Sequence, residues 1–148
     1  MHLENSLTIA APVHRVWDLT IDIERWPTLT PTILSVERLD DGELRVGSSA
    51  RVAQPRMPVA VWTVTELEPL SRFVWEARIL GSRFVGGHHL TSTADGTRNK
   101  LTLDVTGSSA GLLSLVAGSA MRQAIATENE GFRRAALSAE RPGSEHTL

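Results

Sequence analysis

The sequence predicts an α+β domain: a curved antiparallel sheet of six or seven strands wrapped around one long C-terminal helix, with two short helices after the first strand. Three features of the chain point to it. From Ile33 to Thr106 the residues fall into short alternating segments separated by turn residues, the pattern of an antiparallel sheet. A single amphipathic run, Gly111 to Leu137, is long enough to cover such a sheet. A sheet this wide with one long helix can bury its inner face only by curling around that helix, and coiling and bulges supply the curl.

Each element follows from local signals. Leu3 to Ala10 alternates Leu3, Leu7 and Ile9 with Glu4, Ser6 and Thr8, and reads as the first strand. Pro12 stands where helices begin, and Val13, Val16 and Trp17 follow at three-to-four spacing. Asp22 is placed to cap a second short helix, Ile23 to Trp26, which Pro27 would end. Strands are expected at Ile33 to Leu39 and Leu44 to Val52, joined by the turn Asp40-Asp41-Gly42. The two prolines of Gln54-Pro55-Arg56-Met57-Pro58 cannot both enter a ladder, so this stretch is a loop or an edge break. Val59 to Glu68 and Arg72 to Leu80 flank Pro69-Leu70-Ser71; Arg83 to Thr93 and Thr97 to Thr106 flank Ala94-Asp95-Gly96, a strong hairpin signal. Gly81, Gly86 and Gly87 are suited to the bends or bulges that curl a sheet. Residues 1–138 read as one domain, and Ala139 to Leu148 as a flexible tail.

Composition narrows the function classes. The chain has 148 residues and a net charge of -2 with acids and bases interspersed, so it lacks the basic footprint of nucleic-acid binding. It contains no cysteine, which excludes disulfides, thiol catalysis and thiolate metal sites. The first residues do not read as a signal peptide and no apolar run approaches a membrane span; a cytoplasmic protein is the expectation. Neither a phosphate-binding loop nor a nucleophile elbow is present, so Ser109 is not read as part of a hydrolase triad. No cofactor is implied, and the pairing of two copies is left open.

The long helix carries the strongest functional signal. At ~100° per residue, Leu113, Ala117, Ala120, Ala124, Gly131 and Ala135 lie along the middle of one arc. Val116 flanks that arc on one side, and Met121, Ile125 and Phe132 on the other. Arg122, Gln123, Asn129, Glu130, Arg133 and Arg134 are assigned to the opposite, solvated side. A helix that fills a core usually offers Leu or Ile along its midline. Methyl groups and a hydrogen atom there mean very close packing or a void, and a void beneath the curved sheet is the expectation. Within the arc stands Glu128. Buried without partners its carboxylate would cost several kcal/mol, so it either bonds to the sheet or the short helices, or serves as a polar anchor and proton acceptor in the cavity.

Alternation in the strand around Phe84 places Phe84, His88 and Leu90 on the inner face and His89 outside, with the phase subject to any bulge at Gly86-Gly87. His88 is therefore either a core histidine or an acid–base partner of a ligand. Metal binding is not expected, because no second ligand lies at metal-site spacing. Trp62 and Trp75, on neighbouring strands, are either core or a flat aromatic wall. With Phe84, Leu101 and Leu103 on the sheet, and Ala117, Ala120, Met121, Ala124 and Ile125 on the helix, they are the candidate ligand contacts. Trp17 and Trp26 read as anchors of the short helices or as parts of a pocket mouth. Arg51 and Asp104 fall on the outer face.

Several phrases in this order resemble the START/Bet v 1-like (SRPBCC) superfamily, in particular its polyketide cyclase/dehydratase-like branch. They are Ala11-Pro12-Val13-His14-Arg15-Val16-Trp17-Asp18 with Asp22-Ile23-Glu24-Arg25-Trp26-Pro27, Trp62-Thr63-Val64-Thr65-Glu66-Leu67-Glu68-Pro69 leading to Arg72-Phe73-Val74-Trp75, and Ala94-Asp95-Gly96-Thr97-Arg98. The resemblance covers about Leu3 to Leu137. It implies the helix-grip fold and a deep hydrophobic cavity gated by the two short helices. It does not imply one chemistry, since members bind lipids, hormones or polyketides and some catalyse cyclisation or dehydration. Three readings follow. The first is binding of a small hydrophobic, lipid- or polyketide-like molecule. The second is a cyclase or dehydratase in which Glu128 or His88 moves a proton. The third is an interaction protein with a vestigial cavity.

Overall fold

A computed structural model describes residues 1–139. Strand β1 (His2–Ile9) is followed by α1 (Val13–Ile21), a 3-10 turn (Ile23–Arg25) and α2 (Trp26–Leu29). Six strands come next: β2 (Ser35–Arg38), β3 (Ser49–Ala53), β4 (Ala60–Glu68), β5 (Arg72–Ile79), β6 (Ser82–Thr93) and β7 (Gly96–Gly107). Helix α3 (Ala110–Ala139) closes the described chain. The strands form one antiparallel seven-stranded sheet in the order β1-β7-β6-β5-β4-β3-β2. Everything from β2 to β7 is a meander, and only β1 reaches across the chain to join β7. The short helices carry the backbone from one edge of the sheet to the other. The expected α+β architecture is the one observed, and no helix among the described residues is long and apolar enough to cross a membrane.

Several local expectations are corrected. Pro27 lies in the first turn of α2 and begins that helix; a proline there loses no intrahelical bond, because the N–H it lacks would have been unpaired. Asp22 precedes the 3-10 turn, yet its side chain makes no capping bond. The strand expected from Leu44 starts only at Ser49. Gly47 takes φ +95°, and Ser48 N–H bonds back to the Arg45 carbonyl, which turns the chain before it can pair. The preceding strand is likewise shorter, Ser35–Arg38 within the expected Ile33 to Leu39. Pairing runs unbroken through Gly86 and Gly87; the register shift is in β4, between Val64 and Glu66. Residues 140–148, the bulk of the expected tail, lie outside the described residues, while Ala139 belongs to α3.

The core forms where α1 and α2 press onto the concave sheet. Trp26, 2% exposed, stands at its centre, with ring centroids 5.3 Å from Trp75, 5.1 Å from His88, 6.0 Å from Phe73 and 5.8 Å from Phe132. Its indole N–H donates to the Leu19 carbonyl at 3.1 Å, which ties the α2 ring to the end of α1. Trp17 is buried in the same core.

Helix α3 meets this core differently at its two ends. Toward the C-terminus it packs against β1 and β7 on one side and α1 and α2 on the other. The buried arc there is wider than a single stripe, so Asn129, expected on the solvated side, is fully buried, as are Phe132 and Ala136. Gly131 fits so closely under α2 that a Cβ would lie 2.2 Å from the Leu29 carbonyl oxygen. The small-residue seam is therefore close-packed at Gly131, contrary to the void expected along its whole length. Toward the N-terminus Leu112, Leu115 and Val116 are exposed. Gly131→Ala should destabilise the fold by about 3 kcal/mol through this backbone clash, read as a lowered urea midpoint; an unchanged midpoint would contradict the close contact.

Candidate functional site

Between the sheet and the first two-thirds of α3 lies a cavity of about 640 Å³. The sheet side is aromatic: Trp62, Trp75 and Phe84, with Trp26 closing one end and Leu101 and Leu103 extending the wall. The Trp62 and Trp75 centroids are 5.4 Å apart and the rings are tilted by 37°. Gly86 lies under both, with its missing Cβ 3.5 Å from the Trp75 indole. The helix side is nearly flat, built from Ala117, Ala120, Met121, Ala124 and Ile125. All ten positions proposed from the sequence as ligand contacts lie on this lining. From Val116 to Glu128 the helix spans about 18 Å at 1.5 Å per residue, which sets the length of the slot.

His88 and Glu128, read from the sequence as separate candidates, meet at one end of the slot. His88 Nε2 stands 3.8 Å from Glu128 Oε2, a separation longer than a hydrogen bond. Their side chains are 5% and 17% exposed. Burial pushes the Glu128 carboxyl up to about 7, opposed in part by a hydrogen bond from Thr32, which sits just beyond α2. Burial drives the His88 imidazole down to about 3, with the neighbouring His89 adding to the effect. Burial thus favours the uncharged form of both groups over an ion pair. His88 Nδ1 is buried without a partner among the rings of Trp26, Phe73 and Phe132. An orphaned lone pair is better tolerated there than an orphaned N–H, so we assign the proton to Nε2, facing Glu128.

Other residues of the site carried little sequence signal. Thr32, Ile33 and Val52 line the cavity, and the loop Gln54–Met57 forms its rim. Loop residues have no periodicity, and β3 reaches the cavity through its pairing with both β2 and β4. Arg56, held at φ +62°, is the cation of the lining and sits on that loop. Arg51 and Asp104 face outward: Arg51 pairs with Glu37 at 2.8 Å, and Asp104 accepts from His2 at 2.6 Å. Ser109 contacts the Ser82 hydroxyl at the start of α3, with no histidine involved.

The raised Glu128 carboxyl has a thermodynamic consequence. Between its ordinary value of 4.5 and about 7 the unfolded chain gives up this proton while the folded protein keeps it, so stability falls as pH rises through that window. The lowered His88 value acts in the opposite sense, adding stability as pH rises from about 3 to 6.5. A difference measurement separates the two. The stability of Glu128→Gln relative to the parent should rise by about 3 kcal/mol from pH 4 to pH 8, read from urea unfolding at each pH. A flat difference would show that Glu128 is not held as described.

TTHA0849 from Thermus thermophilus superposes with a TM-score of 0.78 at 21% identity, over 95% of this chain and 100% of that one. The Zhui aromatase/cyclase from Streptomyces sp. R1128 superposes with a TM-score of 0.70 at 21% identity, over 97% of both chains. Identities this low speak to the fold alone. In sequence, a Streptomyces cyaneus protein named "Putative polyketide cyclase" is 58% identical over 38 residues. A protein of the same name from Streptomyces halstedii is 49% identical over 39 residues. These matches span 26% of this chain and only 25% and 36% of those proteins. The family described as "Polyketide cyclase / dehydrase and lipid transport" matches residues 1–137, nearly the whole chain, and the protein belongs to that family.

Proposed function

We propose that the protein encloses a flat, mostly apolar and uncharged small molecule, with an oxygen function of the ligand placed against Glu128 and His88. The observation that carries this reading is the slot itself: an aromatic wall faces an alanine wall, and the pair stands at one end. Burying apolar area at ~25 cal/mol per Å² supplies the affinity. The end of the slot fixes orientation. A purely hydrocarbon end there would leave the His88 N–H without a partner and the Glu128 carboxyl with Thr32 alone, at about 1–3 kcal/mol for an unpaired group. A ligand carboxylate there would give up its hydration with no cation of the lining beside it, since Arg56 stands on the rim loop. A neutral carbonyl or hydroxyl meets both requirements.

Naphthalene, 2-naphthol and 2-naphthoate test this at pH 6, with the indole N–H signals of the cavity tryptophans followed by NMR. Naphthol should bind about fivefold or more tightly than naphthalene, the worth of one hydrogen bond, and naphthoate should bind most weakly. Glu128→Leu should erase the advantage of naphthol. Failure of all three to bind, or a preference for naphthoate, contradicts the reading.

A second reading, acid–base catalysis on such a ligand, is favoured by the pair. A carboxyl titrating near 7, shielded from water beside a neutral imidazole, is suited to taking a proton from carbon next to a carbonyl and returning it to oxygen. The names of the Streptomyces relatives suggest a polyketide-type substrate for that chemistry. Glu128→Gln and His88→Ala variants that turn over such a substrate as fast as the parent would eliminate it. An interaction protein with a vestigial cavity is disfavoured by the size of the slot.

A further inference from the structure

Along the slot the α3 midline is alanine and offers few knobs to interdigitate with the sheet, so the rotation of α3 there depends on what seats the helix from Glu128 onward, where Phe132 and Gly131 pack against the core and α2. The placement of Glu128 requires one rotation of α3. Glu128 and Asn129 point about 100° apart, and a turn of one residue's worth would take the carboxyl out of the slot. At this position α3 is held by a buried polar cluster that the ligand site does not use. The Asn129 carboxamide is fully buried; its Oδ1 accepts from Asn99 Nδ2 at 2.9 Å. Its Nδ2 lies 2.9 Å from Asn5 Oδ1 and 3.1 Å from both the Asn5 and Asn99 carbonyl oxygens. The cluster thus joins α3 to β1 and β7, the two strands that bring the ends of the sheet's chain together.

We propose that Asn129, clamped by Asn5 and Asn99, is a positioning residue that, beside the Gly131 and Phe132 contacts, fixes the rotation of α3 and so aims Glu128 at His88. Buried amides are directional: the carboxamide reaches its partners in β1 and β7 at one helix rotation, whereas a methyl seam slides. The two N–H groups of Asn129 face three acceptors, so the cluster tolerates no substitute that lacks donors. An aspartate would set its carboxylate against the Asn5 and Asn99 carbonyls. The inference rests on the reading of Glu128 as the polar anchor of the slot, but its readout is the carboxyl itself and needs no ligand.

The test uses the full chain labelled with ¹³C-glutamate, following the Glu128 carboxyl signal from pH 4 to pH 9. Asn129→Ala should lower the Glu128 midpoint by about one pH unit or more, toward the ordinary carboxyl range, because the freed helix lets the side chain reach water. Leu113→Ala, which removes a buried contact of α3 away from the clamp and off the cavity lining, should lower the melting temperature and leave the midpoint in place. If Asn129→Ala does not fold, Asn99→Ala keeps the bonds to Asn5 and should shift the midpoint by about half a unit. A folded clamp variant with an unmoved midpoint, or an equal shift in Leu113→Ala, overturns the proposal. Either result leaves the ligand reading standing, since that depends on the naphthalene series.

Discussion

The contact between α3 and the backbone of α2 is the constraint on which the rest depends. Gly131 lets the helix approach the Leu29 carbonyl more closely than any side chain would permit. That contact and the neighbouring asparagine cluster seat the C-terminal half of α3 against the core. Beyond it the helix runs out over the concave sheet with Ala117, Ala120 and Ala124 facing the slot. A helix pinned at one end by hydrogen atoms and short amides, and carrying alanine beyond the pin, leaves space beneath it. The same kind of residue thus produces contact at Gly131 and a hollow at Ala117, Ala120 and Ala124.

Electrostatics make that hollow selective. Moving a carboxyl and an imidazole from water into the slot disfavours the charged form of each, so the carboxyl rises toward neutrality and the imidazole falls far below it. A surface pair with the same 3.8 Å spacing would attract as ions. Here both groups are driven toward neutrality, and what they offer a ligand is hydrogen-bond direction. Burial of polar groups costs free energy that the fold must recover elsewhere, and the aromatic cluster around Trp26 contributes to that recovery.

Much of this was legible in the sequence, for identifiable reasons. Alternation and turn residues located β1 and the meander from β4 to β7, because those strands have one buried face. Leu44 to Ser48 alternates as well, but Gly47 and the Ser48–Arg45 bond turn the chain before it can pair. The small-residue arc announced the slot, and the isolated acid announced Glu128. Sequence could not bring Glu128 to His88, forty positions away, since that depends on the rotation of α3. Nor could it reveal the clamp: a helical wheel assigns Asn129 to solvent by its polarity, whereas the wide buried arc between sheet and short helices takes it in. Whether glycine and alanine signal a gap or a tight contact is equally invisible to periodicity. It depends on what lies opposite, and opposite Gly131 lies a carbonyl.

Filling the hollow tests the account most directly. Leucine at Ala124 adds three heavy atoms to the middle of the slot. If the space is open, the urea midpoint of Ala124→Leu should equal or exceed that of the parent, as added apolar area is buried without strain. A loss of about 2 kcal/mol or more, the usual cost of overpacking a filled core, would show that no hollow exists beneath the helix.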